Sequence, residues 1–316
     1  MPLTPRAKRE LAELIGNEAT IIPTADSQAK NSSIRFPIAT GFGMFSLLLI
    51  VMLAIILDPL TPQGAFAISP TPLRFQPLNA SPQALLRELS ILSSTLALPN
   101  NGIQVIDVQT WNISIVDEGD PTNLDVAIVP ERREITRYPD NSQTIEVRTG
   151  NAFDADGIPL PDASVQNPAG TLLWIEHFTP DRMRFSNIAP TNPNMMGDFL
   201  SAGMPENTPA IAAEYFRAIT GLLLEQLLDA QQNAALLEFL SRLPDMQVAG
   251  IVVDRIGREG VAIQATRTWL ENEYTEYLIL SPLTGQIIAT ETVAHDGHQF
   301  GLSGRTVIEY YAWERR

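Results

Sequence analysis

The sequence predicts an α+β protein: a single transmembrane helix, then an extracytoplasmic domain in which a curved, mostly antiparallel sheet is covered by helices on one face. Three observations carry this expectation. Residues 38–57, IATGFGMFSLLLIVMLAIIL, contain no charged side chain. The rest of the chain reads as strands, then helices, then strands, an order that sets helices on one side of an antiparallel sheet. Beyond Pro244 the apolar period is two rather than 3.6.

At about 1.5 Å per residue, about 20 helical residues cover the roughly 30 Å hydrocarbon core, so 38–57 has the length of a span. Pro37 on one side and Pro59 and Pro62 on the other fence it off. A cleaved secretory signal is the competing reading, because Ala65-Phe66-Ala67 is an A-x-A-like tripeptide. The 37 residues ahead of the run are long for a signal peptide and favour the anchor. Arg6, Lys8, Arg9, Lys30 and Arg35 precede the run, and the next basic residue is Arg74. Positive charge stays on the cytoplasmic side, so the N-terminus is expected inside and the bulk of the chain outside.

The expected organisation is a short cytoplasmic tail over 1–37, the span over 38–57, a proline-rich stalk over 58–80 and one extracytoplasmic domain over 81–316. The tail has helical spacing at Ala7, Leu11, Leu14 and Ile15, but an isolated helix this short is marginal in water. The stalk follows from Pro59, Pro62, Gly64, Pro70, Pro72 and Pro77. Ser81-Pro82 reads as N-cap and first helical residue, with Leu85, Leu86, Leu89 and Leu92 on one face. A long strand is expected over 103–116, and a hairpin around Pro139-Asp140-Asn141. Residues 150–170 read as a loop. LLWIEHF and RMRFSNI read as short strands, with a second loose stretch running on to Pro205. Thr208-Pro209 opens a helix with a stripe of Ile211, Tyr215, Ile219, Leu222, Leu223 and Leu227, and a further helix covers about 233–242. Strands near 247–253, 260–269, 274–280, 286–293 and 304–313 then form an antiparallel meander. A sheet covered this way has room for an apolar pocket under the helices.

Composition narrows the chemistry. The chain has no cysteine, which removes disulfides, thiolate zinc sites and a Cys nucleophile. Five of its 21 basic and four of its 36 acidic residues precede the span. The exterior part therefore carries 16 arginines against 32 carboxylates, and such a surface repels phosphate backbones; no nucleic-acid partner is expected.

The segments DRIGREGVAI and YLILSPLTGQIIATE, with AAEYFRAITGLLLEQ, TPLRFQPL and TWNISIV, resemble an actinobacterial single-pass membrane family known only by a locus-tag label. The resemblance covers most of residues 40–313. It implies an anchored exterior domain and a role in envelope sensing or sigma-factor regulation, since members often lie beside genes for extracytoplasmic-function sigma factors. It assigns no catalytic residue. Anti-sigma proteins carry a folded cytoplasmic domain, and residues 1–37 are too short to be one. The element order also resembles, by analogy of fold alone, periplasmic lipoprotein carriers and related lipid-sensing regulators.

Within DRIGRE, Arg255 and Arg258 are the candidate ligand or partner contacts, set against a plain hairpin turn at Gly257. Three histidines occur, His177, His295 and His298. His295-x-x-His298 with Asp296 sits in an expected turn and lacks a third ligand, so no metal is assigned. DADG at 154–157 lacks the carboxylate spacing of a calcium loop. No G-x-S-x-G elbow, phosphate-binding loop or dinucleotide fingerprint is present. Trp111, Trp174, Trp269 and Trp313 fall in strand-like runs and are expected to pack.

The function expected from sequence is a non-enzymatic, membrane-anchored extracytoplasmic binding or sensing protein without cofactor. Its expected partners are membrane lipid through one helix, an envelope protein or apolar ligand, and a sigma-factor pathway component. The alternative is an envelope hydrolase with a dispersed site, which an acidic cleft holding one of the three histidines beside a serine or paired carboxylates would favour.

Overall fold

The computed structural model of the chain describes residues 71–96, 103–117, 124–150, 152–153, 159–160, 168–269, 271–298 and 304–315. The expected tail, the expected span, residues 58–70 of the stalk and the acidic turn at 154–157 lie outside the described residues. Among the described residues no helix is long and apolar enough to cross a membrane.

In chain order the elements are α1 (Pro82–Ser94), β1 (Gln104–Asp117), β2 (Leu124–Arg137), β3 (Gln143–Thr149), the two-residue strands β4 (Ala152–Phe153) and β5 (Pro159–Leu160), and β6 (Leu172–Phe178). Three helices follow, α2 (Pro193–Ala202), α3 (Ala212–Glu225) and α4 (Ala230–Leu240). The chain closes with β7 (Gln247–Val253), β8 (Glu259–Trp269), β9 (Asn272–Leu280), β10 (Ile287–Ala294) and β11 (Thr306–Arg315). Nine strands make one antiparallel sheet in the order β6-β3-β2-β1-β11-β10-β9-β8-β7, and β4 pairs only with β5. The first and last long strands, β1 and β11, are neighbours, with Val108 opposite Trp313. The strands flanking the three helices, β6 and β7, are the two outer strands of the sheet. The chain therefore passes from one edge to the other through α2, α3 and α4.

Local signals place these helices. Ser81 accepts the Ala84 N–H at the start of α1, whose first residue is Pro82. Asp229 and Gln232 form a reciprocal capping box on α4. At the start of α3 the cap comes from far along the chain, where the Asp245 carboxylate accepts the Ala212 N–H at 3.0 Å. The buried stripe of α3, including Phe216, Ile219 and Leu222, faces a core shared with Ile263, Leu278, Leu280 and Trp313 of the sheet. Each such side chain removed from water contributes about 1.5–3 kcal/mol.

Two expectations fail in the middle of the chain. RMRFSNI is not a strand; after a short 3₁₀ turn at Pro180–Arg182 its backbone is held by side chains instead of a ladder. The Glu225 carboxylate accepts the N–H groups of Arg184 (3.0 Å) and Phe185 (2.7 Å), and the Gln226 amide bonds Phe185, Asn187 and Ala189. The stretch read as loose contains α2, capped by Asn192 with Pro193 at its first position. The stretch 150–170, expected as a loop, contains the two-residue strands β4 and β5, and β2 starts nine residues ahead of the expected run at Arg133; the other expected strands and helices are present with boundaries shifted by a few residues.

The helix-covered face of the sheet is not uniformly apolar. Arg267 on β8 bonds Glu276 on β9 at 2.8 Å, lies over the Tyr274 ring at 4.7 Å and comes within 4.0 Å of Glu214 on α3. Thr292 donates to the second oxygen of Glu276 at 2.6 Å. Burial, followed by the nearby Arg267 charge, lowers the Arg217 guanidinium to about 10. Arg267 and Glu276 are both nearly inaccessible to solvent. Removing one partner of such a pair strands the other charge away from water.

Replacing Glu276→Ala is accordingly expected to cost about 3–5 kcal/mol in denaturant unfolding, whereas breaking the surface pair Arg242–Glu238 by Arg242→Ala is expected to cost at most about 1 kcal/mol. Stability should also depend on pH in a defined direction. Burial raises the carboxyls of Glu225 and Glu291 above the usual glutamate value. Their contribution is full below the unfolded value and fades as pH rises through the raised folded values, so the folded state takes up protons. The unfolding midpoint is expected to be higher at about pH 5 than at about pH 8, with Glu225→Gln flattening the difference.

Candidate functional site

Strand alternation gives β9 two different faces. Tyr274, Glu276, Leu278 and Leu280 point toward the helices, and Glu273, Thr275, Tyr277 and Ile279 share the opposite, outer face. That outer face is apolar over much of β7 to β11, with Val252, Ala262, Ile279, Val293, Val307, Tyr310 and Ala312 forming a second core.

Residues 71–76, expected as free stalk, lie across part of this face as a strap. Leu73 donates its N–H to Glu291 Oε1 at 3.3 Å, and Arg255 donates to the Thr71 carbonyl at 2.7 Å. Gln76 exchanges both backbone hydrogen bonds with Ile251 at the free edge of β7, at 2.8 and 2.9 Å. Gly250 makes that approach possible: it has φ +136°, and a Cβ there would lie 2.1 Å from the Gln76 oxygen. The Phe75 ring stacks on Tyr277 with centroids 4.9 Å apart.

The strap accounts for Arg255. Its Nε and Nη2 both reach Glu291 Oε2, at 3.0 and 2.8 Å, and its guanidinium carbon lies 6.0 Å from the Tyr310 ring centre. The pair is buried, with side-chain exposures of 8% and 1%. Arg258 bonds Asp254 and the carbonyls of Trp313 and Ile288. Arg255 thus ties the strap to the sheet and Arg258 ties down the 254–258 turn, where the sequence made both candidate ligand or partner contacts. Gly257 takes φ +86° in that turn.

Next to the strap, the outer face opens into a groove of about 550 Å³ lined by Phe75, Val248, Ala249, Gln264, Thr266, Glu273, Thr275, Tyr277, His295 and Arg305. This is the size of a small-molecule site. Its floor carries two polar pairs. Arg305 Nη2 donates to the Tyr277 hydroxyl at 2.6 Å, and Thr275 Oγ1 lies 2.7 Å from His295 Nε2. His295 Nδ1 is 3.5 Å from Glu273 Oε1. The Tyr277 phenol is raised above its ordinary value by burial, against the pull of Arg305. Thr275 is only 2% exposed, while the Glu273 side chain is 54% exposed.

Of the three histidines, only His295 enters the groove. His177 on β6 meets Thr144 at 3.2 Å, and His298 lies on the exposed turn after β10 with Asp296 4.0 Å away. Among the described residues no group of three or more histidines, aspartates and glutamates is placed to hold a metal ion. Trp111 and Trp313 are buried in the two cores, and Trp174 and Trp269 pack at their margins. The sequence analysis missed Phe75, Glu273, Thr275, Tyr277 and Arg305. The one local signal was the alternation of Glu273, Thr275 and Tyr277, which marks a single polar face of β9.

No family model, curated protein or solved structure matches this chain.

Because Gly250 admits the Gln76 carbonyl, Gly250→Ala is expected to displace the strap. Limited proteolysis should then cut within residues 71–80 faster than in the unaltered protein, while strands β8 to β11 remain protected.

Proposed function

We propose that this chain is a non-enzymatic, membrane-anchored extracytoplasmic binding or sensing protein, and that its ligand sits in the outer groove beside the strap. The observation that supports binding over catalysis is the state of the groove's hydroxyl. Thr275 Oγ1 is engaged by His295, and its residue is 2% exposed, so a substrate carbonyl has little access to it. The layer between the helices and the sheet is packed with core side chains and the Arg267–Glu276 pair, which makes the outer groove the better candidate of the two faces. The anchor rests on the charge-free run at 38–57, and the link to envelope or sigma-factor signalling rests on the family resemblance alone.

A second reading, an envelope hydrolase, is favoured by one observation: Glu273, His295 and Thr275 stand in the order carboxylate, imidazole, hydroxyl. Two measurements on the full-length protein separate the readings. Ligand-observed NMR against a library of small envelope-type molecules is expected to give binders whose signal is lost on Phe75→Ala and on His295→Ala; binders indifferent to both changes place the site elsewhere. Turnover of activated esters that disappears on Thr275→Ala would establish the hydrolase and overturn the binding reading.

A further inference from the structure

We infer that the groove takes a short extended peptide with both ends free, its ammonium group at Glu273 and its carboxylate at Arg305. This rests on the reading of the groove as a binding site and names the chemistry of its ligand.

The floor pairs its polar groups in two sets: Arg305 donates to the Tyr277 hydroxyl, and Thr275 Oγ1 meets His295 Nε2, whose Nδ1 lies 3.5 Å from Glu273. A cation thus stands at one end of the floor and an anion at the other. The ends are what a ligand meets. Arg305 is exposed, and its guanidinium has more donors than the single bond to Tyr277 uses. Glu273 is the one carboxylate among the residues that line the groove, at 54% side-chain exposure.

Charge selects among ligands. A net charge of −15 on the whole chain repels anions from a distance, so a purely anionic ligand gains at Arg305 and loses on approach. A purely cationic ligand gains at Glu273 and meets Arg305 as a like charge. A zwitterion satisfies both ends and carries no net charge. Length selects further. Glu273 and Tyr277, the phenol of which holds Arg305, are four residues apart along β9, about 13 Å at about 3.3 Å per residue. An extended chain of three residues spans at most about 11 Å, and a hydrogen bond of about 2.8 Å at each end closes the remainder. Phe75, Val248 and Ala249 supply an apolar wall for small side chains.

Isothermal titration of the full-length protein with Ala-Ala-Ala, its C-terminal amide and its N-acetyl form tests this. The free tripeptide is expected to bind, and each blocked form to bind at least roughly tenfold more weakly, the size of one lost charge-assisted hydrogen bond. Arg305→Gln should abolish discrimination against the amide, and Glu273→Gln discrimination against the N-acetyl form. Both residues are solvent-facing, and unchanged melting temperatures would show that the variants fold. Equal binding of all three peptides overturns the inference and, if lost on Phe75→Ala, leaves the groove standing as a binding site. No binding of any form also overturns it, while binders from the small-molecule library that depend on Phe75 and His295 would preserve the broader reading.

Discussion

The Arg255–Glu291 pair is the contact on which the outer half of the molecule depends. Most of β9 from Tyr274 to Leu280 is buried, so its two sets of side chains need two different covers. The helices supply one. The strap supplies part of the other, and three of its attachments converge on this pair: Leu73 on the carboxylate, Thr71 on the guanidinium, and Phe75 on Tyr277, the residue opposite Glu291 on the neighbouring strand. A buried ion pair is a weak source of net stability but a strong determinant of geometry, because each partner is costly to leave alone. Here it fixes where the chain crosses the sheet.

The groove is a consequence of that crossing. Where the strap lies against β7, the edge and the apolar face beneath are covered. Beyond the strap, Glu273 at the start of β9, His295 after β10 and Arg305 before β11 remain exposed, with Phe75 as a shared wall. The groove is thus built from the sheet on one side and from the segment leading to the N-terminal part of the chain on the other. Its polar floor is ordered by its own hydrogen bonds, which hold His295 and Tyr277 in place without a ligand.

Much of the fold is legible in the sequence because it is written in local periodicity. The period-two runs beyond Pro244 become β7 to β11, and Ser81-Pro82 and the α3 stripe become helices at nearly the expected places. The failures have a common cause in distant partners. Arg184 and Phe185 look like strand residues but are bonded by Glu225, some forty residues later. Helix α2 carried its own signal in Asn192-Pro193, hidden among prolines, asparagines and glycines that read as loop. The groove was legible only in its β9 side. Its other residues arrive from segments whose approach no spacing encodes: Phe75 through the strap, His295 from the end of β10 and Arg305 from the start of β11. Arg255 stood out for the right reason, as a charge placed on a turn, but its partner Glu291 lies on another strand and turns it inward.

The central claim is that residues 71–76 are part of the folded sheet rather than a free tether. Hydrogen–deuterium exchange on the unaltered full-length protein tests it most directly, at the amides of Leu73, Gln76 and Ile251. The account predicts that Gln76 and Ile251 exchange slowly and together, at the protection of an edge strand, with Leu73 slowed by Glu291. Exchange of Leu73 and Gln76 at the rate of an unstructured peptide would contradict it, and with it the wall that makes the groove.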